Sequence, residues 1–141
     1  MTYKEAVSYL YRIKNLDDQI TRKVEQVEIL FTRATKTNCA LTGEVVQSSG
    51  SGDKVGDLIT QACDLDNEVN RDIDTLVDMK SQMMKEIKMC VDHDLKSIVL
   101  IERFVHLKSL TQIALELDFT VRYIQRLQTE GIQMFSERFA E

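Results

Sequence analysis

From Tyr3 to Ala34 apolar side chains return every three or four residues: Tyr3, Val7, Leu10, Ile13, Leu16, Ile20, Val24, Val27, Phe31 and Ala34. That spacing keeps them on one stripe of an α-helix. From Ile20 onward the four-three alternation is that of a heptad seam, with Arg22, Lys23, Glu25, Gln26 and Glu28 left outside it. A second stripe runs through Leu58, Ala62, Leu65, Val69, Ile73, Leu76, Met83, Ile87 and Cys90; Lys80 interrupts it and Met79 is a partial replacement. Asp53, or Gly56 with Asp57, is the expected start of this helix. Between them, over about 36–55, the periodicity lapses and Ser48, Ser49, Gly50, Ser51 and Gly52 read as a flexible connector. Each helix is about 33 residues, or ~50 Å, long, and neither can bury its stripe alone. An antiparallel hairpin over 1–91 is the simplest solution. Pairing between two chains buries the same stripes, so a homodimer through the long helices is the alternative.

A break at Val91–Asp94 separates this hairpin from a module over 92–141. Asp92 or Asp94 is the expected cap of the next helix, whose Leu95, Ile98, Val99, Ile101, Phe104 and Val105 supply a broad apolar surface. Ser109 then caps a short helix with Ile113, Ala114 and Leu117 inward. After the turn Leu117–Thr120, Thr120 caps a second helix with Ile124, Leu127, Gly131 and Phe135 inward. A short helix with a small residue at the crossing, a tight turn and a second helix are the marks of a helix-turn-helix. With Ile124 and Leu127 facing in, the 100° step puts Arg122, Gln125, Arg126 and Thr129 on the far side and Tyr123 at its edge. Arg forks onto guanine, Gln reads adenine, and Thr120 and Tyr123 suit phosphate, so this face has the residue types to enter the major groove of double-stranded DNA. An ordinary three-helix bundle with two arginines on its solvated face is the plainer reading of the same pattern.

Composition agrees with an all-α fold: 43% hydrophobic and 29% charged residues, five Gly and no Pro leave few backbone breakers. The net charge of −5 excludes a basic nucleic-acid coat, so any DNA contact is local. Residues 1–36 carry seven basic and five acidic side chains, residues 57–94 four and ten, and residues 95–141 six of each. The two long helices are thus complementary in charge, although exposed ion pairs add only ~0.2–1 kcal/mol each and the apolar seam dominates. A neutral C-terminal module releases few counterions, so specific binding is expected to need a dimer or a second protein. The acidic second helix also motivates a different function, an interaction module that grips RNA polymerase or another protein, as an inhibitor for example.

Other classes have little support in the residues. The longest aliphatic run, Ile98–Ile101, is far short of the ~20 residues that span a membrane, and the N-terminus lacks an apolar signal core, so a cytoplasmic protein without membrane contact is expected. Cys39, Cys63 and Cys90 match neither a disulfide framework nor a zinc spacing and read as free thiols. Asp92, His93 and Asp94 are adjacent and converge poorly on one ion, so no metal and no cofactor is assigned. There is no Gly-rich phosphate loop and no triad spacing, which argues against an enzyme.

Ile101, Glu102, Arg103 and Phe104, followed by Leu110, Thr111, Gln112, Ile113, Ala114 and Leu117, then Thr120, Val121, Arg122, Tyr123, Ile124 and Leu127, resemble region four of primary-type sigma factors over about 40 residues. A long helical hairpin followed by such a module is similar in layout to the transcriptional regulators of phages and mobile elements of the ArpU and RinA kind. The resemblance implies a DNA-binding regulator, an activator of phage genes, with Arg122, Tyr123 and Arg126 at base-reading positions. One departure stands out: Asp118 occupies the turn position usually held by Gly. The chain also has no second sigma-like domain for promoter melting.

Overall fold

Where apolar residues repeat at helical spacing and no proline intervenes, backbone hydrogen bonds close locally and the chain becomes helix. The computed structural model describes residues 1–42 and 50–139, with side chains described for 1–36 and 54–139, and there the protein is all-helical with no strand. In order these are α1 (Tyr3–Leu10), α2 (Arg12–Thr42), α3 (Gly50–Cys90), α4 (Asp94–Leu100), a π-helical turn (Ile101–Val105), α5 (Leu110–Leu117) and α6 (Val121–Arg138). The single helix expected from Tyr3 to Ala34 is divided at Tyr11, yet its ladder is continuous. The Tyr11 N–H donates to the Val7 carbonyl and the Asn15 N–H to the Tyr11 carbonyl, both at 3.0 Å.

Helix α1 opens with a reciprocal cap: Thr2 Oγ1 accepts from the Glu5 N–H, and the Glu5 carboxylate accepts from the Thr2 N–H. The connector is shorter than its sequence suggests. Helix α2 continues to Thr42, and Gly50, Ser51 and Gly52 belong to the first turn of α3, while Ser48 and Ser49 lie outside the described residues. Helix α3 therefore begins before Asp53.

The chain forms two compact units. One is Asp17–Thr75, and the other combines Met1–Leu16 with Leu76–Glu141. This grouping differs from a division at residues 91 and 92, and the cause is apolar burial by the first helix. Ala6, Leu10 and Ile13 are wholly buried, α1 packs on α6, and the Tyr9 ring lies 6.0 Å from Phe135 and 4.7 Å from Phe139. Tyr9 also donates a 2.5 Å hydrogen bond to Glu86 on α3, and the Arg12 guanidinium covers its ring at 4.8 Å.

In the Asp17–Thr75 unit, Ile20, Leu30, Ala34, Ala62 and Val69 are buried, and Lys23 Nζ reaches Glu68 at 3.7 Å and Asp72 at 2.6 Å. Three residues of the expected stripes stand out of this core: Val24, Phe31 at 43% exposure and Ile73 at 42%. With Ile13, Ile20 and Ala34 at one core position of the heptad, Leu30 holds the second core position and Phe31, 100° further round, falls on the flank.

In the other unit, α4, α5 and α6 share a core of Val99, Ile113, Ala114, Ile124 and Leu127, against which Leu95, Leu110 and Leu117 pack. Gly131 lets α6 approach α4 closely; a Cβ there would lie 3.1 Å from Cγ of the wholly buried Leu100. The cap of α4 is His93, neither of the flanking aspartates. Its Nδ1 accepts from the Lys96 N–H at 3.3 Å, Asp94 begins the helix, and Asp92 pairs with Arg138 of α6. Ile98 faces away from the expected apolar surface and is exposed. After the π-helical turn, Leu107 adopts a left-handed conformation (φ 57°), tied by the Lys108 N–H to the Glu102 carbonyl and by Arg103 Nη1 to the Lys108 carbonyl, both at 3.0 Å.

Burial, then the acceptor Glu86, pushes the Tyr9 phenol up to about 12 from its usual value of 10.0. A phenol that ionises later in the folded than in the unfolded chain contributes stability below pH ~10 and loses it as pH climbs toward 12. The fraction folded in denaturant should therefore fall more steeply across that window than it does for Tyr9→Phe, as followed by circular dichroism; parallel alkaline profiles for the two proteins would contradict the assignment.

Candidate nucleic-acid interface

The two C-terminal helices are set by local rules. Ser109 Oγ accepts from the Gln112 N–H and opens α5, and Thr120 Oγ1 accepts from the Tyr123 N–H at 3.2 Å and opens α6. The link between them is Asp118, Phe119 and Thr120. Asp118 sits in the left-handed region (φ 62°, ψ 41°), and the Phe119 N–H returns to the Ala114 carbonyl at 3.0 Å, closing the end of α5. The conformation that usually calls for Gly is thus adopted by Asp itself, which visits that region more readily than other residues with a Cβ.

With Ile124 wholly buried and Leu127 nearly so, Thr120, Arg122, Tyr123, Gln125, Arg126 and Thr129 are all exposed. They do not form one cluster. Thr120, Arg122, Tyr123 and Arg126 line an open recess of about 390 Å³. Tyr123 and Gln125, the two neighbours of buried Ile124, lie on opposite flanks of α6. Thr129 Oγ1 donates to the Gln125 carbonyl at 3.0 Å, which turns its hydroxyl toward its own helix.

The arginines differ. Arg122 has no ion pair or hydrogen bond among the described residues, whereas Arg126 Nε donates to Glu130 Oε1 at 3.0 Å with 72% of its side chain exposed. Glu130 Oε2 also meets Lys96 Nζ of α4 at 3.2 Å. Hydrogen bonds from Arg126, then Lys96, hold the Glu130 carboxyl below the usual carboxylate range, so it is charged at neutral pH. Nearby, Lys108 bridges Glu102 at 2.5 Å and Glu116 at 2.8 Å; both carboxylates raise its ammonium above the ordinary value and occupy it.

Three participants are absent from the face as read along the chain. Arg126 and Glu130 are four residues apart, a spacing that announces their pairing on a helix. Lys96 arrives through tertiary packing and has no local signal. Phe119 leaves the link with its ring 4.9 Å from that of Tyr123, and both rings are partly exposed beside the recess. Elsewhere Cys63 is an exposed free thiol and Cys90 a buried one whose pKa burial pushes up, while the side chain of Cys39 lies outside the described residues. No group of three or more His, Cys, Asp or Glu suited to a metal occurs among the described residues. Among them no helix is long and apolar enough to cross a membrane. No protein-family model, curated protein or solved structure matches the chain.

The left-handed Asp118 yields a stability test. Asp118→Val places a β-branched residue at positive φ and should destabilise the fold by ~1 kcal/mol or more, whereas Asp118→Gly should be neutral or stabilising by up to ~1 kcal/mol. Urea unfolding measures both; equal stability of the two variants would contradict the link's conformation.

Proposed function

We propose that the protein is a sequence-specific, double-stranded-DNA-binding transcription regulator, with α5 and α6 as a helix-turn-helix and α6 as the recognition helix. The observation that carries this reading is the exposure of Arg122 and Arg126 on the side of α6 opposite buried Ile124 and Leu127. The N-terminal end of α6, where Thr120, Arg122 and Tyr123 lie beside an open recess, is the end that a groove-reading helix presents to base edges. The similarity of residues 101–127 to sigma region four supports the same assignment, and the wider layout supports a phage or mobile-element regulator of the ArpU and RinA kind, acting as an activator.

Neutral charge over residues 95–141 makes a second copy or RNA polymerase the natural partner on DNA. The long helices, read as an antiparallel hairpin, have a surface for such a contact. Lys23 and Asp72 pair on one flank of the α2–α3 seam, so Val24 and Ile73, each one residue further on, fall on the other flank. Phe31 lies one heptad beyond Val24, and Ile59 two heptads before Ile73. These four side chains are each about two-fifths exposed and form one apolar strip, which fits a homodimer through the long helices.

Two outcomes test this reading. Arg122→Ala combined with Arg126→Ala should weaken binding to the best genomic duplex by about tenfold or more and reduce the slope of log affinity against log salt by about one. Unchanged affinity in an anisotropy titration would remove the assigned face. Phe31→Ser with Ile73→Ser should convert a dimer into a monomer in sedimentation equilibrium while helix content is retained; a wild-type chain that is already monomeric at micromolar concentration contradicts the dimer.

A further inference from the structure

We propose that Glu130 is a positioning residue for base recognition: it fixes the Arg126 guanidinium by its Nε so that the two Nη groups form a fork for guanine. The proposal rests on the DNA-binding reading above and assigns Arg126 and Arg122 different work within it. A guanidinium has five N–H donors in one plane, and bidentate recognition of guanine O6 and N7 needs two of them parallel and correctly aimed. Arg126 Nε is already committed to Glu130 Oε1 at 3.0 Å, while its Nη groups make no hydrogen bond among the described residues. A long side chain held at Nε samples fewer orientations before it meets DNA, which lowers the ordering cost of a directional contact.

The holder is itself held. Glu130 is joined at its other oxygen by Lys96 Nζ at 3.2 Å, and Lys96 belongs to α4, whose Val99 is part of the core that also contains Ile124 and Leu127. The Lys96 side chain is only 19% exposed, against 72% for Arg126. The chain of contacts runs from α4 through Lys96 and Glu130 to an exposed fork. It also disfavours a backbone role for Arg126, because a phosphate drawn to this guanidinium meets the Glu130 charge beside it. Arg122 is paired with no carboxylate among the described residues and is the better phosphate ligand. An acidic residue on a DNA-facing helix is costly for affinity; its compensation here is discrimination.

Competition binding of the full chain to its best duplex, with each G·C pair replaced in turn, tests the proposal. Wild type should lose about tenfold or more at one position, and Arg126→Lys, which keeps the charge but lacks the fork, should lose that preference. Glu130→Gln, isosteric and partly exposed, should reduce the preference below about threefold, tighten binding to unrelated duplex and steepen the salt dependence by about one. Full retention of guanine preference in Glu130→Gln, with or without tighter binding, overturns the proposal and leaves the DNA-binding reading intact. A wild-type chain that binds no duplex at all overturns both.

Discussion

The burial of Ile124 and Leu127 against Val99, Ile113 and Ala114 sets the rotation of α6, and through it the direction of every other side chain on that helix. Because each residue turns the helix by 100°, anchoring two positions leaves no freedom for the rest. The anchoring continues along α6 through Gly131, Ile132 and Phe135, all buried, and Gly131 allows the backbone to come close to Leu100. Truncating a buried aliphatic residue in such a core costs about 2–5 kcal/mol, a large part of a domain's stability, so the exposed arginine face and the fold depend on the same contacts.

Charge shapes what that face can do more than composition suggests. With six basic and six acidic residues over 95–141, cations near α6 are largely committed: Lys96 and Arg126 to Glu130, Lys108 to Glu102 and Glu116, Arg138 to Asp92. The exposed ones among them, Arg126–Glu130 and Arg138–Asp92, contribute little to stability. The consequence of all these pairs is a surface with little general attraction for phosphate, on which Arg122 has no ion pair among the described residues. On the proposed DNA-binding reading, such a surface favours selective over general binding and calls for a second copy or a second protein for tight association.

Where local chemistry decides structure, it is readable along the chain. Ser109 and Thr120 cap α5 and α6 by the oxygen-to-backbone bonds their side chains offer, Ile113, Ala114, Ile124 and Leu127 are inward at helical spacing, and Asp118 marks the end of α5. Features that depend on partners distant in the chain are not readable in the same way. Tyr9 meeting Phe135, Lys96 meeting Glu130 and Arg138 meeting Asp92 join residues many positions apart, and no periodicity signals them. His93 replaces aspartate as a cap because an imidazole nitrogen also accepts a backbone N–H, and Leu30 takes the inner place expected of Phe31 because steps of three and four residues fit either flank of a heptad seam. Of the six side chains expected to face DNA, exposure is common to all, while the recess gathers only Thr120, Arg122, Tyr123 and Arg126.

Selection of bound fragments from a genomic DNA pool, followed by footprinting of the winners, tests this account most directly. It predicts enrichment of a short duplex motif, protected in the major groove and repeated at a spacing of about one helical turn or a multiple of it when two copies bind. Recovery of fragments with no shared motif, or no recovery above a control surface, would contradict it.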